Sequence, residues 1–134
     1  MKKKRMILLL ILIFVGGLYS ITFIPKKLVT IQPSKVSKIE IFDGNRGELV
    51  TVTDDEPKEY IISNLNKITF RKGNLSIGYM GYKFRMTIYD DHGKVYKEII
   101  INNSEKIRYR SFFYTGESEK IDDEYIDRLF ETNR

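Results

Sequence analysis

The sequence predicts an α+β domain carried behind one transmembrane helix: an antiparallel sheet of five to six strands with two helices packed on one face, in the order β-β-α-β-β-β-β-α. Three observations carry this expectation. Met6–Ile24 (MILLLILIFVGGLYSITFI) holds nineteen residues without a charge. Beyond it, several segments alternate apolar and polar residues with a period of two. Two further segments repeat apolar residues at helical spacing.

The N-terminal segment comes first. Nineteen helical residues reach about 28 Å, close to the roughly 30 Å of a bilayer's hydrocarbon core. A remainder of 110 residues could not surround so uniform a helix. Lys2, Lys3, Lys4 and Arg5 crowd the short side, which places the N-terminus inside and the domain outside a cell membrane crossed once. A cleaved signal peptide has the same basic start and apolar run, with Val15-Gly16-Gly17 as its cleavage site. The apolar run continues through Leu18–Ile24, which favours a retained anchor at 1–24.

Pro25 to Pro33 (PKKLVTIQP) is expected to be a linker, bounded by prolines that stop the helix. The domain then occupies 34–134, and residues 33–134 should fold alone. Ser37–Phe42 and Val50–Val52 alternate around Asp43-Gly44-Asn45-Arg46-Gly47, a hairpin. Asp54-Asp55-Glu56-Pro57 starts a helix near 56–66, with Ile61, Leu65 and Ile68 at helical spacing. Ile68-Thr69-Phe70 begins the next strand, and Arg71–Gly81, with three glycines, is a loop.

Tyr82–Tyr89 has the cleanest alternation in the chain, with Tyr82, Phe84, Met86 and Ile88 inward. Asp90-Asp91-His92-Gly93 turns it, and Lys94–Ile101 returns with Val95, Ile99 and Ile101 on one face. Lys97 interrupts that face, which requires either a bulge or an edge strand. Lys106–Arg110 alternates around Ile107 and Tyr109, extended by Phe112-Phe113-Tyr114. Asp122 caps the last helix, Ile121 staples onto Ile126, and Tyr125, Ile126, Leu129 and Phe130 form its stripe.

Charge excludes one broad class of function. The formal net charge is +5, but four of the cations lie at residues 2–5, so residues 25–134 carry nineteen Lys or Arg against eighteen Asp or Glu. A near-neutral domain with mixed signs lacks the basic face that phosphate binding needs, so no nucleic-acid partner is expected. The apolar segment 6–24 meets membrane lipid. Cysteine is absent, which removes disulfides, thiolate nucleophiles and Cys-ligated metals.

Catalytic constellations are also missing. His92 is the single histidine, and it sits between Asp91 and Gly93 at a turn without a nucleophile or orienting partner. The clusters Asp54-Asp55-Glu56, Asp90-Asp91 and Asp122-Asp123-Glu124 lack calcium-loop spacing, and helix starts and a turn account for them. Phosphate-loop, dinucleotide and nucleophile-elbow motifs do not occur. The expectation is a protein that is not an enzyme, with no cofactor and no metal.

Aromatic residues are what remains. Seventeen Tyr and Phe occur, and the stretches Tyr79-Met80-Gly81-Tyr82 and Tyr109–Tyr114 are hard to bury completely. Successive strand residues face opposite ways, so Phe112 and Phe113 cannot both enter one core. Tyr79, Met80, Tyr82, Arg110, Phe112, Phe113 and Tyr114 are the candidate partner-binding surface, because Tyr and Arg dominate interface hot spots.

The stretch VSKIEIFDGNRGELVTVTDDEPKEYIISNLNKITF, with GYKFRMTIYDDHGK and IDDEYIDRLF, resembles small uncharacterised exported or membrane-anchored α+β-domain proteins of Bacillus-like and Clostridium-like Firmicutes. The resemblance covers roughly residues 33–130 and implies a Gram-positive source and an extracytoplasmic place. No catalytic residue comes with it. The function expected is a membrane-tethered, non-enzymatic binding domain for a protein, peptide or envelope component. The alternatives are a structural or accessory subunit of a membrane complex and a domain secreted after signal cleavage.

Overall fold

The computed structural model describes residues 1–133. Helix α1 (Lys2–Ile21) is long and apolar enough to cross a membrane, and it buries none of its residues against the domain. Beyond it come β1 (Lys26–Lys27), a single 3-10 turn at Pro33–Lys35, β2 (Val36–Asp43) and β3 (Glu48–Val52), then α2 (Asp55–Lys67). β4 (Thr69–Leu75), β5 (Phe84–Asp90), β6 (Val95–Ile101), β7 (Lys106–Tyr109), β8 (Phe112–Glu117) and α3 (Asp123–Thr132) complete the chain.

All eight strands join one antiparallel sheet in the order β1-β4-β8-β7-β6-β5-β2-β3. This corrects the expectation of five to six strands with two helices: eight strands and three helices are present among the described residues. One extra strand is β1, two residues inside the expected linker, paired through Lys26 with Phe70 and Lys27 with Thr69. The other arises because residues 106–117 are not one strand. They fold back at Arg110-Ser111, whose φ angles are +48° and +68°. That two-residue hairpin needs left-handed backbone at both central positions, for which Asn-Gly is the usual signal, and Arg-Ser carries none.

One face of the sheet is the core. Ile39, Ile41, Phe84, Met86, Ile88, Ile99, Ile101 and Ile107 are fully buried there, beneath Ile61, Ile62 and Leu65 of α2 and Ile126 and Phe130 of α3. Phe84 and Phe130 stack with ring centroids 5.8 Å apart. α3 starts as expected: Asp122 accepts from Tyr125 N at 3.0 Å, and Ile121 and Ile126 are both buried. α2 differs, since Asp54 at its start makes no capping side-chain bond and leaves Asp55 and Glu56 to meet the positive helix end.

Register shifts decide several side chains. The β5–β6 pairing slips between Ile88 and Tyr89, so Lys97 pairs with Ile88 and Val95 with Tyr89. β6 is therefore bulged rather than an edge strand, and Val95 is exposed instead of joining Ile99 and Ile101. Tyr82 also leaves its expected inward place, because the strand begins only at Phe84.

The segment after β1 is part of this core. Leu28 and Val29 are buried, Lys97 Nζ donates to Leu28 O, and Thr30 N donates to Tyr96 Oη at 3.1 Å. Asn66 Nδ2 donates to Ile31 O at 2.8 Å. Residues expected to link the anchor to the domain run across the core face of the sheet and help close it.

Asp43 holds the β2–β3 turn. Its carboxylate accepts from Asn45 N at 2.7 Å, Arg46 N at 2.9 Å and the Arg46 guanidinium at 2.9 Å. Burial works against the charge, but these donors outweigh it and hold the carboxyl below its ordinary value of 3.8. A carboxyl depressed in the folded state contributes stability that is complete above its unfolded pKa and disappears as pH falls through the folded one. Urea midpoints should therefore hold level from neutrality down to about pH 5 and drop below about pH 4. Asp43→Asn should flatten that acid limb while lowering the midpoint at neutral pH.

Candidate functional site

β4 and β5 are consecutive in sequence but start and stop at opposite ends of the sheet, so their connection must travel its length. Leu75 at the end of β4 lies opposite Phe112, while Phe84 at the start of β5 lies between Asp43 and Ile101. The intervening Ser76–Lys83 crosses the face of the sheet away from α2 and α3. Ser76 N donates to Ser111 O at 2.8 Å at one end, and Lys83 N donates to Ile101 O at 3.0 Å at the other.

Arg108 fastens the middle. It projects from β7 on this outer face, and its two terminal nitrogens donate to Tyr79 O and Gly81 O, each at 2.8 Å. Asn102 Nδ2 reaches Gly81 O at 3.4 Å. Gly81 has φ +94°, where a side chain would be strained, and this lets both carbonyls turn inward. A guanidinium fork suits two such acceptors better than an ammonium would.

The strapped loop brings the aromatic residues together. The Tyr79 ring meets Phe113 edge-on at 5.1 Å, and the Arg108 guanidinium lies 5.2 Å from the Tyr79 ring. Lys106 Nζ stands 5.5 Å from Phe113. Tyr82 lies 6.4 Å from Phe42, and Arg85 covers it at 5.1 Å and donates to its hydroxyl at 3.2 Å. Met80, at 87% exposure, packs on none of this and faces solvent. Leu75, Tyr79, Met80, Tyr82, Lys106 and Phe113 line an open groove of about 710 Å³. Asn102 also lines it and holds a buried Oδ1 with no partner among the described residues.

Of the seven candidates, Tyr79, Met80, Tyr82 and Phe113 meet at this groove. The other three do not. Phe112 turns to the core side, where Lys72 Nζ sits 3.9 Å from its ring. Tyr114 is buried opposite Ile107, and burial pushes its phenol above the ordinary value. Arg110 stands at the hairpin tip, over Tyr109. Phe113 points outward because it is one residue from Phe112, as strand alternation requires.

Sequence reasoning missed Arg108, Lys106, Phe42, Arg85 and Asn102. Alternation around Ile107 and Tyr109 marks Arg108 as outward, but only the three-dimensional course of the loop makes it a clamp. Elsewhere on this face Glu40 accepts from Lys38 at 2.9 Å and from Tyr89 at 3.0 Å. The Lys38 bond first, then that of Tyr89, holds the Glu40 carboxyl below its ordinary value, and Glu40 in turn raises the Tyr89 phenol. Near neutral pH this trio is a fixed charge pair with a protonated phenol. The face offers rings, cations and a groove.

No family model, curated protein or solved structure matches this chain.

His92 and the acidic clusters have local duties. Asp90 Oδ1 accepts from His92 N and Lys94 N, both at 2.9 Å, which closes the β5–β6 turn. Asp123 and Asp127 hold Lys83 at 3.0 and 2.8 Å, and Asp127 also pairs with Arg46 at 3.1 Å. This network ties α3 to the starts of β5 and β3.

Proposed function

We propose that the chain is a membrane-tethered, non-enzymatic binding domain that faces outward from the cell membrane and takes a protein, peptide or envelope component on its outer sheet face. The observation that carries this is the Ser76–Lys83 loop, pinned by Arg108 so that Tyr79, Met80 and Tyr82 stand beside Phe113. A loop held to a rigid sheet presents its side chains with little ordering cost on binding. Rings flanked by Arg and Lys are the usual composition of an interface centre. α1 and the four cations of its first turn support the tether and its orientation.

The absence of cysteine makes the test direct. Met80→Cys carries a membrane-impermeant photo-cross-linker, attached to intact protoplasts. A discrete adduct should form from position 80 and not from Leu49→Cys, which is exposed on β3 at the far edge of the sheet. Arg108→Ala should abolish the adduct by freeing the loop. Labelling only after lysis would overturn the outward orientation, and equal adducts from both positions would overturn the groove as the site.

A further inference from the structure

The two ends of the sheet differ in their relation to α1. β1 runs antiparallel to β4, with Lys26 opposite Phe70, so the chain upstream of it heads toward Lys72. Thr22 meets that lysine, its Oγ1 accepting from Lys72 Nζ at 3.2 Å. The same ammonium lies 3.9 Å from the Phe112 ring, 5.1 Å from Phe23 and 5.3 Å from Tyr19. Three rings and a hydroxyl around one cation join the last turn of α1 to β4 and β8. α1 therefore meets the domain at the end where β4 stops, at Leu75, and where the β7–β8 hairpin turns, at Arg110-Ser111.

That corner is built from two neighbouring turns, linked by the Ser76 N to Ser111 O bond of 2.8 Å. Tyr79 N donates to Ser76 O at 3.1 Å and closes the first turn, with Ile77 and Gly78 at its centre. Gly78 has φ +78°, the left-handed conformation such a turn needs after its first central residue. Ile77 is thereby pushed out, 76% exposed, with Leu75 beside it at 60%. Turn centres favour small polar residues, and neither of these aliphatic side chains serves the core. Arg110 crowns the second turn, at the hairpin tip between β7 and β8. Tyr19 marks α1's interfacial turn, since amphipathic rings settle at the headgroup level.

We propose that this corner is a second membrane contact. Ile77 enters the boundary between headgroups and acyl chains beside α1, and Arg110 faces anionic lipid headgroups. The proposal rests on the reading of α1 as a retained anchor. Its extent is limited by charge: Asp54, Asp55 and Glu56 at the start of α2, and Asp90 and Asp91 at the end of β5, lie across the sheet from β4. An anionic surface repels that side and attracts the β4–β8–β7 corner. The domain thus leans on one corner, which fixes the direction in which the Tyr79 groove faces.

The full chain reconstituted in vesicles tests this, with an environment-sensitive dye on single cysteines at Leu12→Cys in α1, Ile77→Cys and Met80→Cys. In phosphatidylcholine vesicles containing phosphatidylglycerol, the dyes at 12 and 77 should be shielded severalfold from an aqueous quencher, and the dye at 80 should not. Arg110→Asn, which suits the left-handed turn and leaves folding intact, should reduce shielding at 77, as should vesicles of phosphatidylcholine alone. A dye at 77 as accessible as that at 80, with 12 shielded, would overturn the contact and leave the anchor standing. Accessibility at 12 would overturn both. Shielding at 77 that ignores phosphatidylglycerol would overturn the headgroup assignment.

Discussion

Phe84→Ala should lower the stability of the domain by about 3 to 5 kcal/mol, as large-to-small changes at fully buried aromatic positions do. Phe84 opens β5, with no exposed surface, and its ring lies parallel within 7° to that of Phe130 on α3. Truncation removes the ring's transfer energy and leaves a void between sheet and helix that neither can close, because β5 is held by β2 and β6 on its two sides. At about 4 to 8 °C per kcal/mol for a domain of this size, the melting temperature should fall by roughly 12 to 40 °C. Tyr79→Ala is the contrasting variant. The Tyr79 ring is half in solvent, and the loop is held through backbone carbonyls that alanine retains, so the loss should stay under about 1 kcal/mol. Denaturant melts of the two variants decide the matter: equal losses would make the loop part of the core and remove the ground for a binding surface.

Most of the core was legible in the sequence because it depends on periodicity. Phe84, Met86 and Ile88, the Asp43–Gly47 hairpin, the Asp122 cap and the Ile121–Ile126 staple all follow from local pattern. The bulge at Lys97 was legible as one of two outcomes. Long-range geometry was not legible. Arg110 and Ser111 adopt a turn that their residue types disfavour, so the break between β7 and β8 leaves no local mark, and residues 71–75 extend β4 despite Gly73. Four of the seven candidate surface residues meet at one groove, since aromatic excess and glycines are visible in a sequence. Arg108 escaped because its role depends on where another segment crosses it. Phe112 and Tyr114 were included because alternation states that faces differ without saying which one is the core.

The segment 25–33 leads to the second large effect. A chain beginning at Pro25 should unfold cooperatively, whereas one beginning at Ser34 should lose most of its stability. The shorter chain lacks Leu28 and Val29, both buried, each contributing about 1.5 to 3 kcal/mol of apolar burial. It also lacks the carbonyls that Lys97 and Asn66 donate to and the amide that donates to Tyr96. The Lys97 ammonium, on the core side of β6, would then need water where Leu28 O had been, and a half-buried donor left without its acceptor costs about 1 to 3 kcal/mol. β4 would lose its edge partner as well. Together these losses are comparable to the whole stability of a small domain, about 5 to 15 kcal/mol. Urea melts of the two fragments, followed by tyrosine fluorescence, should give a sharp transition for the first and a broad, early one for the second. Matching midpoints would return residues 25–33 to the role of a linker. A large difference would mean that the tether is continuous with the core, so that a pull on α1 is borne by Leu28 and Val29 before it reaches β2.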